Sequence, residues 1–172
     1  MPRILTPSSR SSKKPHRVIF LPQTLVDLAA LSHALPSICT TAAQSCTEFS
    51  HLVIASRRNG NSNFGGELAL FSRLPDHLNP YLTTCFDLIH ALLTACHLPI
   101  VTFAYRQGDA FRGGLQAAFA HDYIIATPTA RFDVPESAFN AFPGMGAVSL
   151  LTRRLGAAQA QTGNRQGHYS QR

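Results

Sequence analysis

The sequence predicts an α/β domain with a tail of different composition at each end. Short apolar strand patterns alternate with helical patterns along the chain. A unit made of a strand, a glycine-rich loop and a helix occurs twice, at 52–74 and at 100–121. At 172 residues, 45% of them hydrophobic, the chain is long enough to bury one core of ordinary size.

The elements of the first half follow from apolar spacing. Residues 1–16 are rich in Ser, Pro and basic residues and are predicted to be a basic disordered tail. The elements predicted after it are a strand at 17–21, a helix at 22–35, a strand at 52–55, a loop at 59–66 and a helix at 67–74.

The second half is predicted to open with an amphipathic helix that has Pro80 in its first turn. Its apolar face steps by three or four positions through Leu82, Phe86, Ile89, Leu93 and Cys96. The elements predicted after it are a strand at 99–105, a helix at 113–121, a buried strand at 123–126, a strand at 130–134, a helix at 147–155 carrying Val148, Leu151 and Leu155 on one face, and a polar tail at 161–172.

Composition limits the classes of partner. Charged residues make up 14% of the chain, against about 25% in a typical domain, so the surface uses uncharged polar residues or a partner covers part of it. The formal net charge is +6, and the basic residues of the N-terminal tail are either solvated or bind anions. Because no stripe of Lys and Arg with interleaved aromatics follows, no nucleic-acid partner is expected.

The four cysteines show no metal-binding spacing. Cys85 and Cys96 lie in an apolar helical pattern, where a free cysteine behaves as a small hydrophobic residue. No metal is expected, and a reducing compartment fits this usage, so we expect a cytoplasmic protein. No run reaches the ~18 apolar residues of a membrane span.

One carboxylate, Glu136, lies between two glycine-rich turns at 111–116 and 143–146. This pattern is typical of a site where backbone N–H groups hold an oxyanion while a carboxylate moves a proton. Burial of Glu136 among apolar neighbours would disfavour its charged form and suit it to proton transfer. The alternative is structural: the glycines form tight turns and Glu136 caps a helix or turn.

Four segments, in this order, resemble the crotonase (enoyl-CoA hydratase/isomerase) superfamily over roughly residues 52 to 160. They are Asn63-Phe-Gly-Gly-Glu67, Gln107-Gly-Asp-Ala-Phe-Arg-Gly-Gly-Leu-Gln116, His121-Asp-Tyr-Ile-Ile-Ala126, and Phe132-Asp-Val-Pro-Glu136 with Pro143-Gly-Met-Gly146. The segments Phe64-Gly-Gly-Glu-Leu-Ala-Leu-Phe71 and Phe142-Pro-Gly-Met-Gly-Ala147 are most similar to the diffusible signal factor synthase branch.

The resemblance implies a ClpP/crotonase ββα spiral core at 17–160, incomplete at the C-terminus. It implies an oxyanion hole made by the N–H groups of Phe64 and Gly113, with Glu136 as the catalytic acid–base group. Further substrate-binding positions follow: Gly65, Gly66, Gly114, Pro143 and Gly144. The implied substrate is a fatty acyl thioester of coenzyme A or acyl-carrier protein, with no other cofactor, and the implied assembly is a homotrimer if the chain is complete.

Three departures from the family pattern limit this reading. Gln116 replaces a second catalytic Glu, and an amide cannot accept a proton from water. Arg112 replaces a Gly and would strain the turn if its φ is positive. The family continues well beyond Arg153, so either the chain is truncated or another chain completes the site. Hydration, dehydration, isomerisation and thioester hydrolysis stay open, and the alternative is an impaired remnant that binds acyl thioesters or a full-length relative.

Overall fold

The structure, a computed structural model, describes residues 3–5, 17–21, 37, 40, 50–56, 60–63, 75–134, 144–166 and 168–169. The strands in that part are β1 (Arg3–Leu5), β2 (Arg17–Leu21), β3 (His51–Ser56), β4 (Gly60–Asn63), β5 (Val101–Arg106), β6 (Gly108–Phe111), β7 (Tyr123–Ala126), β8 (Phe132–Asp133) and β9 (His168–Tyr169). The helices are α1 (Pro75–Leu93), α2 (Gly113–Phe119), α3 (Ala147–Leu155) and α4 (Ala157–Gln166), with a 3₁₀ turn at Ala95–His97.

The strands form two sheets, with orders β1-β2-β3-β5-β7 and β4-β6-β8-β9. Pairing is parallel except at the ends, where β1 lies antiparallel to β2 and β9 antiparallel to β8. Three successive strand pairs, β3/β4, β5/β6 and β7/β8, each place their first strand in one sheet and their second in the other. The chain therefore winds as a spiral of ββ units, and the predicted α/β class is confirmed.

The core lies around α2, and all seven residues of this helix are buried. Strand β5 turns its alternate residues Thr102, Ala104 and Arg106 to the buried side, as the two-residue period of a strand requires. Leu88 of α1 and Leu151 of α3 are also fully buried. Each such apolar side chain contributes about 1.5–3 kcal/mol by leaving water, so the core holds α2 in place.

Helix α1 begins earlier than predicted. Its first residue is Pro75, and Pro80 lies inside the helix rather than in its first turn. The buried face was also predicted wrongly in part, because Phe86 is 51% exposed while the buried positions are Cys85, Leu88, Ile89 and Leu92. Apolar residues occupy two overlapping helical stripes here, and packing in the common core selects one of them.

The helix ends before Cys96, contrary to the prediction. Ala95, Cys96 and His97 have φ values of 49°, 54° and 59°, a left-handed conformation that no right-handed helix contains. Cys96 is disulfide-bonded. The interpretation of Cys96 as a free hydrophobic side chain was therefore wrong, whereas Cys85 is free and buried, as predicted.

Other elements differ in detail. Strand β4 occupies part of the predicted loop at 59–66, β1 lies within the predicted tail, and α4 and β9 extend into the predicted polar tail. Strand β7 is not buried: it lies at the end of the sheet order, and Tyr123 is 58% exposed. Helix α3 spans the predicted residues with Leu151 buried, but Val148 on its predicted apolar face is exposed.

The predicted helices at 22–35 and 67–74 lie outside the described residues. In the part of the chain with described structure, no helix combines the length and apolar character that crossing a membrane requires.

Candidate functional site

The turn between β6 and α2 is strained at Arg112. Its backbone has φ 51° and ψ −127°, close to the first central position of a type II′ turn at about +60° and −120°, where glycine dominates. Such a conformation costs a non-glycine residue on the order of 1–3 kcal/mol. The Arg112 N–H donates to the Asp133 carbonyl oxygen at 3.1 Å, which holds the turn against β8. The expected strain at Arg112 is confirmed.

Helix α2 starts directly after this turn with two buried glycines, Gly113 and Gly114. The Gln116 N–H donates to the Arg112 carbonyl oxygen at 3.2 Å. The N–H groups of Gly113, Gly114 and Leu115 precede this helical bond, and the first N–H groups of a helix have no acceptor within it. Within the helix, these three N–H groups therefore stay free to donate hydrogen bonds to an anionic oxygen.

Gln116 is the polar exception among the apolar side chains of α2. It is 1% exposed, and its Oε1 has no hydrogen-bond partner among the described residues. An unpaired buried acceptor costs about 1–3 kcal/mol, so it is rarely kept without a role. The side chain can hold a donor such as water or a substrate hydroxyl, but it cannot take a proton from it.

An ion pair fixes the strand that leads into this turn. The Asp109 carboxylate of β6 accepts hydrogen bonds from Nη2 of Arg131 at 2.6 Å and from Nε at 3.1 Å, and its other oxygen accepts from the Arg131 N–H at 2.9 Å. Arg131 thereby holds the pKa of Asp109 below its usual range. The guanidinium also lies 5.8 Å from the Phe111 ring centroid, within cation–π range.

Basic side chains hold the other end of α2. His121 donates from Nδ1 to the Ala117 carbonyl oxygen at 2.7 Å. Arg154 of α3 donates from Nε to the Phe119 carbonyl oxygen at 3.2 Å and from Nη1 to that of Asp122 at 2.9 Å. The last carbonyls of a helix lack partners within it and carry a partial negative charge, so both side chains stabilise this end.

Asp122 ties the same end to β5. One of its carboxylate oxygens accepts from both the N–H and the hydroxyl of Thr102 at 2.8 Å, and its own N–H donates to that hydroxyl at 2.9 Å. The segment that resembles the family's Cys-Asp pair thus has a structural role at its Asp. Sequence reasoning missed these contacts, because partners 20 to 35 positions apart leave no local spacing pattern.

The predicted site is described only in part. Gly113, Gly114 and Gln116 lie together at the start of α2, whereas Phe64, Gly65, Gly66, Glu136 and Pro143 lie outside the described residues. Gly144 is exposed, and a Cβ added there would meet no atom within 4 Å, so packing does not require a glycine. Gly146 does require one, because its φ is +76°. Among the described residues, no three His, Cys, Asp or Glu side chains converge as a metal site needs.

A family model described as enoyl-CoA hydratase/isomerase matches residues 43–167, well over half of the chain. The chain belongs to this family. The match includes the strained turn, helix α2 and the segments predicted to carry the chemistry.

Solved structures of bacterial proteins share the fold. The Bacillus anthracis enoyl-CoA hydratase superposes with a TM-score of 0.80 at 19% identity, covering 95% of this chain and 62% of that one. An enoyl-CoA hydratase/isomerase from Marinobacter aquaeolei gives 0.76 at 19%, covering 98% and 65%. Pseudomonas aeruginosa DspI gives 0.72 at 20%, covering 93% and 64%.

The likeness confirms the predicted crotonase-like fold. The chain spans less than two thirds of the length of these three structures.

Proposed function

We propose that the protein acts on acyl thioesters by crotonase-type chemistry, as an isomerase or as a hydratase or dehydratase. The N–H groups of Phe64 and Gly113 hold the thioester oxygen, and Glu136 moves the proton. The substrate is a fatty acyl group on coenzyme A or on acyl-carrier protein. The observation that carries the proposal is the strained turn that delivers buried Gly113 to the first position of α2, in a chain of the enoyl-CoA hydratase/isomerase family.

The physics of the turn suits this chemistry. Removing a proton next to a thioester carbonyl places negative charge on its oxygen. An N–H group at a helix start meets that charge with a fixed dipole, and losing one such donor typically costs about 2.7–4 kcal/mol. Glycine at 113 and 114 has no side chain to obstruct the thioester. Gly65, Gly66, Pro143 and Gly144 are the further proposed substrate contacts.

Among isomerisation, hydration and dehydration, the presence of glutamine at position 116 favours isomerisation. Hydration and dehydration use two proton-transfer groups at a water molecule, and each such group contributes about 10²–10⁴-fold. The Gln116 amide can orient water or substrate but cannot take up a proton. Moving a double bond needs one group that removes and returns a proton, a role that Glu136 alone can fill.

The test compares 3-enoyl and 2-enoyl thioesters, on coenzyme A and on carrier protein, with purified wild type and Glu136→Gln. We expect wild type to isomerise the 3-enoyl thioester faster than it hydrates the 2-enoyl one, and Glu136→Gln to lose about 10²–10⁴-fold. Asp87→Asn makes the same chemical change at an exposed position of α1 and should turn over normally. Absence of wild-type turnover, or equal turnover in Glu136→Gln, contradicts the proposal.

A second candidate function is acyl-thioester binding without catalysis. Gln116 in place of a carboxylate favours it, and so does Arg112 in a backbone conformation suited to glycine. A non-reactive thioester analogue distinguishes the two in thermal unfolding. A rise in the midpoint without turnover of any substrate supports the binding remnant, whereas turnover supports the enzyme.

A further inference from the structure

Strand β7 forms one edge of the first sheet. It stands last in the order β1-β2-β3-β5-β7, and among the described strands it pairs with β5 alone. Its four residues, Tyr-Ile-Ile-Ala, include no charged residue and no Pro, the residues that commonly protect an edge strand. An unprotected edge of this kind can pair with a strand of another chain.

Two large apolar side chains of β7 lie exposed on the face of the sheet opposite the core. Tyr123 is 58% exposed and Ile125 is 49% exposed, and residues two apart in a strand share one face. The Tyr123 ring stacks on Phe103 of β5 with centroids 5.2 Å apart, and Phe103 lies 5.7 Å from the His51 ring of β3. This aromatic row crosses three strands and ends at the open edge, where an added strand would continue it.

The backbone of β7 also presents hydrogen-bonding groups to the open edge. The Thr127 N–H donates to the Arg106 carbonyl oxygen at 3.0 Å, so it faces β5. Because successive residues of a strand face opposite sides, the N–H and C=O groups of Ile124 face away from β5. The Asp122 carbonyl oxygen has the same phase, since it accepts from Arg154 of α3. Ile124 therefore points a donor and an acceptor at the centre of the edge.

An antiparallel strand of the same sequence fits this edge. A two-fold axis at Ile124 places this residue opposite itself as a hydrogen-bonded pair, in which each copy donates one bond and accepts one. The same axis places Tyr123 of each copy opposite Ile125 of the other, in pairs whose side chains approach more closely. Aromatic and β-branched side chains form favourable cross-strand pairs. Asp122 then faces Ala126, so no like charges oppose each other.

We propose that the open edge of β7 is the interface of a symmetric homodimer, in which two copies of this chain join their first sheets. A two-fold interface uses the same surface on both subunits, and this edge is complementary to itself. Self-complementarity favours a second copy over an unrelated strand. Four residues span about 13 Å, so the contact buries less than the roughly 1,200 Å² of a standard interface. The dimer is therefore weak and reversible.

The first test measures the mass of the full chain in solution over a hundredfold range of concentration. For the wild type we expect a rise from the mass of one chain, 18.7 kDa, toward that of two chains. Ile125→Lys places a charge at the edge and should weaken association by at least about tenfold. Phe86→Lys is the matched control, because Phe86 is equally exposed but lies on α1, and it should associate like wild type.

Thermal unfolding at the lowest concentration separates a lost interface from a lost fold, since both variants should keep the wild-type midpoint there. A wild type that stays a single chain at every concentration overturns the proposal. Equal association of Ile125→Lys and wild type also overturns it. Growth of the wild type beyond two chains does the same, because two-fold symmetry closes the assembly at a dimer.

Disulfide trapping tests the register of the two strands. Tyr123→Cys and Ile125→Cys should cross-link on mild oxidation when the two proteins are mixed, because opposite positions lie about 4.5 Å apart between Cα atoms. In either variant alone the new thiols lie on a diagonal of about 7–8 Å, beyond the usual reach of a disulfide. Wild type gives the background from the four native cysteines. A mixture that cross-links no faster than the single variants overturns the proposed pairing.

Hydrogen exchange of the wild type tests the same edge without a substitution. The Ile124 N–H should exchange more slowly at high concentration, because the second copy accepts its hydrogen bond in the dimer. The Ile125 N–H faces β5 in both states and should change little. Exchange of Ile124 at one rate across the concentration range overturns the proposal. None of these measurements uses turnover, so the dimer proposal and the thioester proposal can fail independently.

Discussion

The two ends of helix α2 differ in backbone strain and in the side chains that support them. At the start, Arg112 has a backbone conformation suited to glycine, and the Gln116 side-chain oxygen has no partner among the described residues. At the far end, His121 and Arg154 donate to the Ala117 and Phe119 carbonyl oxygens. Backbone strain therefore lies at the end that carries the candidate site, whereas each end has one buried side-chain atom with no partner among the described residues, Oε1 of Gln116 and Nε2 of His121.

The difference teaches how a short helix can carry a site. A helix of seven residues has little stability of its own, so its position depends on burial and on contacts at its ends. The far end supplies those contacts, so the backbone at the start can adopt a strained conformation. Functional sites commonly combine local strain with support from the surrounding structure.

The largest effect expected at the far end is a dependence of stability on pH through His121. Its pKa is about 6.5 when unfolded and about 4 when folded, so between these values the unfolded state binds more protons. Above pH 6.5 this contribution to the free energy of unfolding is fully present. It is lost as the pH falls toward 4, and the total loss is on the order of 3 kcal/mol. Urea unfolding at pH 7, 6 and 5 measures it. In His121→Leu the free energy of unfolding should depend less on pH. The same pH dependence as in wild type would refute the assignment of the effect to His121.

Arg154→Met should destabilise the protein by about 1.5–3 kcal/mol, because two hydrogen bonds from a charged donor are lost. Arg153 is the matched control: it is exposed on the same helix, and Arg153→Met should change stability by less than ~0.5 kcal/mol. Chemical denaturation gives both values. Hydrogen exchange should also show faster opening of α2 in Arg154→Met alone. Equal losses of stability in the two variants would show that Arg154 does not stabilise the far end of α2.

The start of α2 should respond with the opposite sign. Gln116→Met removes a buried acceptor that has no partner among the described residues and keeps a similar volume, so we expect a gain of about 1 kcal/mol. Gln116→Glu buries a carboxylate instead and should destabilise the protein at pH 7. Denaturation midpoints of both variants, compared with wild type, measure these changes in stability. A loss of stability in Gln116→Met would mean that the amide has a structural partner.

Arg112→Gly should stabilise the turn by roughly 1 kcal/mol, since the strain of a side chain at φ 51° outweighs the greater freedom of glycine in the unfolded chain. Arg112→Ala keeps a Cβ in the same conformation and should show no such gain. The comparison uses thermal midpoints of the three proteins. Equal stability of the Gly and Ala variants would show that Arg112 is not strained.

Much of this arrangement could be predicted from the sequence. Apolar spacing placed α2, α3, β2 and β3 close to their observed bounds, and the segment at 107–116 located Gly113 and Gln116 at one end of one helix. The buried face of α1 was not predictable from spacing, because Phe86 and Cys85 belong to competing stripes that only packing separates.

Contacts between distant positions could not be predicted in the same way. Asp109 pairs with Arg131 across 22 positions, and Arg154 reaches Phe119 across 35. Arg106 did leave a signal, because it falls on the same alternation as Thr102 and Ala104 in β5. A charged residue in phase with buried positions indicates a polar group in the core.

Exchange of the α-protons of a saturated acyl thioester with deuterated solvent tests the central claim most directly. In the proposed mechanism this exchange needs an oxyanion held at Gly113 and a carboxylate at Glu136, whichever final reaction follows. We predict exchange catalysed by the wild type and reduced about 10²–10⁴-fold in Glu136→Gln. Exchange at the uncatalysed rate with wild type, or at equal rates in both proteins, would contradict the account.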